Sequence, residues 1–350
     1  MDITQIFSEA VALQASDIFI VAGLPLSLKI NGEIRPNGNS LTPQDTFELI
    51  QGIYQVGGRP MDEFILTGDD DFSFSVKDAG RFRVNAYKQR GSMAAVLRVV
   101  MFTLPDPKKL GIPKEVINLF QKTKGMVLVT GPAGSGKSTT LACIIDKINQ
   151  SRNSHIITLE DPIEYIHKHS KSIVSQREIA LDTQNYTKGL RAALRESPDV
   201  ILLGEMRDFE TISIAMSAAE TGQLVFSTLH TLGAANSIDR IIDVFPPAQQ
   251  QQVRVQLSMV LQAVISQQLI PSTNGTLVPA FEVMFVNSAI RNMIRESKVH
   301  QIDSVLYSSQ DEGMRNMDSS IMELYTSGLI SADSAKFHSL NYDLMSKKID

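Results

Sequence analysis

One octapeptide concentrates the chemistry of this chain. Gly131-Pro-Ala-Gly-Ser-Gly-Lys-Ser138 fits the pattern G-x-x-x-x-G-K-[ST] at every fixed position. Before it runs Met126-Val-Leu-Val-Thr130, a short apolar stretch behind Gly125 that reads as a buried strand. After it, Thr139–Ile148 places apolar residues at helical spacing. Strand, glycine-rich turn and helix start form the context in which the pattern has mechanical meaning. Gly131, Gly134 and Gly136 let backbone N–H groups close around a phosphate chain, with Pro132, Ala133, Ser135 and Thr139 completing the cradle. Lys137 reaches the terminal phosphates, and the Ser138 hydroxyl can ligate Mg²⁺. The expected ligand is a nucleoside triphosphate, ATP with Mg²⁺.

Three further segments end in polar residues where apolar strands stop. His155-Ile-Ile-Thr-Leu-Glu160-Asp161-Pro162-Ile-Glu164 sets three carboxylates at or just beyond a strand end, the edge at which open α/β sheets collect ligands. Glu160 and Asp161 suit a Mg²⁺ shell, reached through water, and Glu164 suits polarisation of the attacking water. Val200-Ile-Leu-Leu-Gly204-Glu205 has the form of a Walker B strand with Gly204 where an Asp is expected. Glu205 is therefore assigned to the metal shell, with Glu164 the favoured base, although spacing alone does not separate the two. Val225-Phe-Ser-Thr228-Leu-His230-Thr231 offers His230 as a γ-phosphate sensor. Phosphoryl transfer also calls for cationic charge against the developing anion, and Arg81, Arg83 and Arg98 precede the glycine-rich turn.

The elements that must position these groups fall into an α+β segment and an α/β segment. Residues 17–35 alternate around Asn31-Gly32, a hairpin signal, and Thr42-Pro43 opens a helix to Gln55. Further strands are expected over Asp71–Val76, Gly80–Tyr87 and Ala94–Val100. Residues 1–101 thus read as a small α+β domain, and the proline-rich 102–113 as a linker. Residues 114–271 read as an α/β core with strands at 126–130, 156–160, 200–203 and 224–228, and 272–350 as mainly helical. Apolar runs are too short to span a bilayer, and the first residues lack a signal-peptide pattern, so the expected location is the cytoplasm. The single cysteine, Cys143, excludes an internal disulfide or a cysteine-based zinc site. A net charge of −5 without a Lys/Arg tract argues against a nucleic-acid partner.

Taken together, the octapeptide, the 160–164 acids, Gly204-Glu205-Met-Arg207-Asp and Thr228-Leu-His230-Thr resemble the four signatures of the secretion ATPases, the ring ATPases of type II and type IV secretion and type IV pili. Ala289-Ile-Arg291-Asn-Met-Ile-Arg295-Glu296 is similar to the AIRNLIRE motif of that family's pilus retraction ATPases, with Met293 for Leu. The resemblance spans residues from about 16 to about 337. It implies a PAS-like N-terminal domain, a RecA-like core and a homohexameric ring with ATP sites between subunits. It further implies that Arg83 and Arg98 meet the phosphates. The implied function is an ATP-hydrolysing motor for pilus retraction and twitching motility, at the inner-membrane base of the pilus machine. The implied partners are an inner-membrane platform protein and an accessory paralogue. Competing readings are a low-turnover accessory subunit, another secretion-assembly ATPase, or, on the same core, a DNA translocase, against which the acidic balance weighs.

Overall fold

Fourteen α-helices and thirteen strands appear among the described residues of the computed structural model, which are 3–30, 32–76, 80–100, 104–309 and 313–349. Asn31 of the hairpin expectation and Phe102 and Thr103 of the linker expectation lie outside them. The chain divides into two units, Met1–Thr103 with Glu164–Ile166, and Leu104–Ile163 with His167–Asp350.

In the first unit, α1 (Ile3–Ala12), α2 (Pro43–Val56) and α3 (Asp62–Thr67) accompany strands β1 (Asp17–Ile20), β2 (Pro25–Ile30), β3 (Glu33–Ser40), β4 (Asp69–Val76), β5 (Gly80–Gln89) and β6 (Ser92–Val100). The strands form one antiparallel sheet in the order β3-β2-β1-β6-β5-β4. Helix α2 begins where the sequence indicates. Thr42 Oγ1 accepts from Asp45 N at 3.2 Å while the Asp45 carboxylate accepts from Thr42 N at 2.7 Å, a reciprocal cap behind Pro43. Period-two alternation on β5 buries Phe82 and Val84 against Phe7 and Ile53 and turns Arg81 and Arg83 to the opposite face.

The second unit continues with α4 (Lys114–Ile117), β7 (Gly125–Thr130), α5 (Lys137–Ser151), β8 (His155–Glu160), β9 (Ile173–Glu178), α6 (Tyr186–Ala193), β10 (Val200–Leu203), α7 (Phe209–Glu220), β11 (Leu224–Leu229), α8 (Ala234–Asp243), α9 (Pro247–Val260), β12 (Leu261–Pro271) and β13 (Leu277–Phe285). Helices α10 (Ser288–Arg295), α11 (Ile302–Ser308), α12 (Met317–Thr326), α13 (Ala332–His338) and α14 (Tyr342–Ile349) follow. The seven strands run β13-β12-β7-β11-β10-β8-β9, parallel except for the β12–β13 hairpin. Strands β7, β10 and β11 are buried along their whole length, as expected of a parallel sheet covered on both faces. One hydrophobic cluster packs α7, α8, α9 and α10 on one face, and another packs α4 and α5 on the other.

Three strands, β9, β12 and β13, fall outside the four expected in this unit. Strand β9 is only half-buried at the sheet edge and carries Ser175, Gln176 and Arg177, so its sequence lacks an apolar run. Strand β13 extends the sheet past Pro271, where mainly helix was expected. Leu277–Phe285 pairs with β12 residue by residue from Leu277↔Pro271 to Phe285↔Ala263. The hairpin, closed through Asn274-Gly275 with Gly275 at φ +80°, supplies the partner that the sequence pattern alone did not indicate.

Candidate nucleotide site

Strand β7 delivers the chain to the phosphate-binding turn. Gly131, Gly134 and Gly136 have φ of +140°, +75° and +86°, a backbone region that favours glycine. At Gly131 and Gly136 space forbids a side chain as well. A Cβ would lie 2.1 Å from the Gln267 carbonyl oxygen at the first and 2.8 Å from Gln267 Nε2 at the second. Helix α5 opens at Lys137, directing its first-turn N–H groups and positive dipole end at the turn. Lys137 is buried, and its Nζ donates to the carbonyls of Gly131 and Pro132 at 2.8 Å each. The ammonium is thus held inside the loop, placed for an anion there. Pro132, Ala133 and Gly134 are exposed, Ser138 and Thr139 half-buried, and Ser135 buried.

The other motifs converge on the same sheet edge. Glu160 accepts from Thr158 Oγ1 at 2.6 Å and from Gln176 Nε2 at 3.2 Å, so β8 and β9 both hold it. Asp161 is exposed and joined to Pro162 by a cis peptide, and Ile163 N donates to the buried Glu178 carboxylate at 3.1 Å. Glu164 is exposed and groups with the first unit. The Glu205 side chain, 13% exposed, receives Arg207 Nη2 at 2.7 Å on one oxygen and faces His230 Nε2 at 3.3 Å on the other. Thr228 Oγ1 donates to Gly204 O at 2.6 Å, lacing the end of β11 to that of β10. Strands β10 and β11 thereby bring Glu205, Arg207 and His230 together.

Position 204 has a steric reason for being glycine. A Cβ there would lie 2.7 Å from the Tyr186 hydroxyl and 3.2 Å from Leu159 O. Tyr186 opens α6 behind the Asn185 cap, and its hydroxyl faces Glu205, Asp161 and Glu160. Burial, then repulsion from these carboxylates, pushes the phenol's pKa above its ordinary value. The Tyr186 hydroxyl therefore occupies space that the expected aspartate would need.

Arg83 and Arg98 stand directly opposite one another on β5 and β6 in the first unit. Arg83 makes a two-pronged pair with Asp71, its Nη2 at 2.6 Å, and Arg98 reaches Asp17 at 3.2 Å. The structure keeps the two guanidiniums side by side on one exposed sheet face, each with a carboxylate partner.

The motifs gave no notice of Gln267, Tyr186 or Glu282. A signal existed for the first: Ser266-Gln-Gln268 interrupts an otherwise apolar strand, and all three are buried. Among the described residues no group of three or more His, Cys, Asp or Glu forms a cage for a metal ion. Mg²⁺ does not require one, because it keeps waters and phosphate oxygens and takes one or two protein ligands. The Ser138 hydroxyl and the acids on neighbouring strands fit that modest donor set.

A parallel sheet with this turn on a central strand, and acids and a histidine on its neighbours, defines a P-loop nucleotide-binding core. Membership narrows further: the chain belongs to the type II/IV secretion system protein family, whose profile matches residues 1–304. It is 44% identical over 340 residues to PilT, a type IV pilus retraction ATPase of Pseudomonas aeruginosa, covering 96% of this chain and 97% of that protein. It is 38% identical over 325 residues to PilU, a type IV pilus ATPase of the same organism, covering 92% of this chain and 85% of that one. A crystal structure of the pilus retraction motor PilT with bound ADP matches with a TM-score of 0.90 at 47% identity, covering 99% of both chains.

Proposed function

We propose that this chain is an ATP-hydrolysing motor that drives type IV pilus retraction as a homohexameric ring. The observation that carries the reading is Lys137, buried within the phosphate loop at the head of β7, in a chain matching a retraction ATPase along nearly its whole length. The loop N–H groups and the start of α5 bind the phosphate chain, and Lys137 neutralises its terminal groups. Ser138, Glu160, Asp161 and Glu205 are the residues that would hold Mg²⁺. The ion supplies charge neutralisation of the phosphate oxygens when bound. Glu164 orients the attacking water, and His230 reports the terminal phosphate to Glu205, 3.3 Å away. Arg83 and Arg98, on the unit that lacks the loop, act on a neighbouring subunit's nucleotide.

Four regions divide this labour: a PAS-like 1–101, a linker 102–113, a RecA-like core 114–271 whose sheet is completed by β13, and a mainly helical remainder to 350. No helix among the described residues is long and apolar enough to cross a membrane. The ring works on the cytoplasmic side of the inner membrane, against a pilus platform protein and beside a PilU-like paralogue.

The test has a biochemical and a cellular arm. The purified protein should hydrolyse ATP and Lys137→Ala should not, while both give the same circular dichroism. Near-normal turnover in the variant removes the loop from catalysis. Deletion in the native host should leave more surface pili and abolish twitching. Loss of pili instead would assign the motor to extension or secretion, and ATPase activity that depends on added DNA would assign it to translocation.

A further inference from the structure

We infer that Gln267 is a positioning residue of the phosphate loop: its side-chain amide fixes the Ser135–Gly136 peptide so that the Gly136 N–H faces the phosphates. This deepens the nucleotide-site reading and rests on it. Gln267 lies on β12 between β7 and β13, where Ser266 pairs with Thr130 and Gln267 with Phe281. It is 3% exposed, a setting in which an uncharged amide must find partners. Its Oε1 accepts from Thr140 Oγ1 at 2.8 Å and its Nε2 donates to the Ser135 carbonyl at 2.6 Å. The two contacts define each other. Thr140 donates its hydroxyl proton to one end of the amide, so the other end is the NH₂ that the Ser135 carbonyl requires.

The consequence follows from peptide geometry. The C=O of Ser135 and the N–H of Gly136 belong to one planar trans unit and point in opposite directions. Pinning the carbonyl toward β12 aims the N–H away from β12. A flip of this peptide would turn a carbonyl lone pair on the phosphates and withdraw a donor. Glycine at 136, with φ +86°, permits such a flip at little steric cost, so the loop's own backbone does not forbid it. The same residue also closes the loop from beneath. Its main-chain oxygen lies 2.1 Å from where a Gly131 Cβ would be, and its Nε2 2.8 Å from where a Gly136 Cβ would be. Ser135 N donates within the loop to Pro132 O at 3.3 Å and its buried Oγ has no hydrogen-bond partner, so the Gln267 amide is the contact that ties this residue to β12.

The role predicts an effect on nucleotide affinity more than on the chemical step. Gln267→Met keeps the length and removes both hydrogen bonds. Thr140→Val removes only the donor that orients the amide. In the full chain, ADP affinity measured by calorimetry should weaken roughly tenfold in Gln267→Met and by a smaller factor in Thr140→Val. The ATP KM should rise in parallel, and kcat at saturation should fall by less than KM rises. Gln267→Glu retains the acceptor for Thr140 but not the donor for Ser135, so it should bind no better than Gln267→Met. Wild-type affinity in any folded Gln267 variant overturns the assignment, as does a kcat loss with KM unchanged. If instead the wild-type chain binds no ADP, the nucleotide reading itself fails.

Discussion

Glu282 on β13 should make the stability of the second unit depend on pH, and substituting it by glutamine should remove that dependence. The side chain is 1% exposed and joins the starts of two helices. Its Oε1 accepts from Ala234 N at 2.6 Å, the first residue of α8, and its Oε2 from Met317 N at 3.2 Å, the first residue of α12. Burial pushes its pKa from 4.5 up to about 7, the two N–H bonds oppose that rise, and the nearby carboxylates of Asp303 and Asp318 add to it. Because the folded value lies above the unfolded one, the native state holds a proton that the unfolded state has lost between pH 4.5 and about 7. The stabilisation is full below that window and declines as pH rises through it. At about 1.4 kcal/mol per pH unit, the loss from pH 5.5 to above 7 is roughly 2 kcal/mol.

Glu282→Gln does not titrate, yet it has one oxygen for two N–H donors. With that oxygen on Ala234, its NH₂ faces Met317 N, and one buried donor goes unsatisfied at a cost of about 1–3 kcal/mol. The variant should therefore be less stable than the wild type in urea at pH 5.5 and close to it at pH 8. His167 complicates the absolute profiles, because burial holds its pKa down at about 4 and its contribution grows as pH rises toward 6.5. It is common to both proteins and cancels in the difference. Hydrogen exchange of peptides from α8 and α12 would locate the effect. A wild-type-to-variant gap that is constant from pH 5.5 to pH 8 would refute the reasoning. It would mean that the two N–H groups and helix dipoles keep the carboxylate ionised throughout.

Gly204→Ala should lose about 1–3 kcal/mol in thermal or urea unfolding, because its Cβ meets the Tyr186 hydroxyl at 2.7 Å, and adding Tyr186→Phe should recover part of that loss. Rings mixed from Arg83→Ala or Arg98→Ala subunits and Lys137→Ala subunits should regain ATPase activity by complementation, since a trans arginine contributes about 10³–10⁵ in rate, and mixtures as inactive as either parent would place the arginines in cis. Glu164→Gln and Glu205→Gln should each bind ATP and hydrolyse it poorly, and a defect confined to one, read in single-turnover assays, identifies the base. Arg291→Ala with Arg295→Ala should retain ATPase activity in vitro and lose retraction in cells, whereas normal retraction would reduce Ala289–Glu296 to packing.

The uneven legibility of this chain has a physical pattern. Motifs written within one element were readable because their geometry is local: the phosphate loop needs only a strand, three glycines and a helix start, and the α2 cap needs only Thr42, Pro43 and Asp45. The strand over Gly80–Tyr87 was readable likewise, and its alternation puts Phe82 and Val84 inward and Arg81 and Arg83 outward. Groups whose role depends on a partner far along the chain were not readable. Gln267 acts on Ser135, Thr140 and Gly131, more than 120 residues earlier, and its amide looks like any polar interruption until β12 is seen beside β7. Tyr186 explains Gly204 only through a contact between the start of α6 and the end of β10. Even Ala289–Glu296 divides along this line. Ile290 and Ile294 are buried as their spacing requires, and Met293 packs partly against the same cluster, whereas Ala289 is exposed. Periodicity identifies a helix face to within about one residue's turn, and only the neighbouring α9 decides where the buried stripe ends. A site assembled at the ends of four parallel strands is therefore visible in sequence as chemistry, while the residues that hold the chemistry in place become visible only when the strands are ordered.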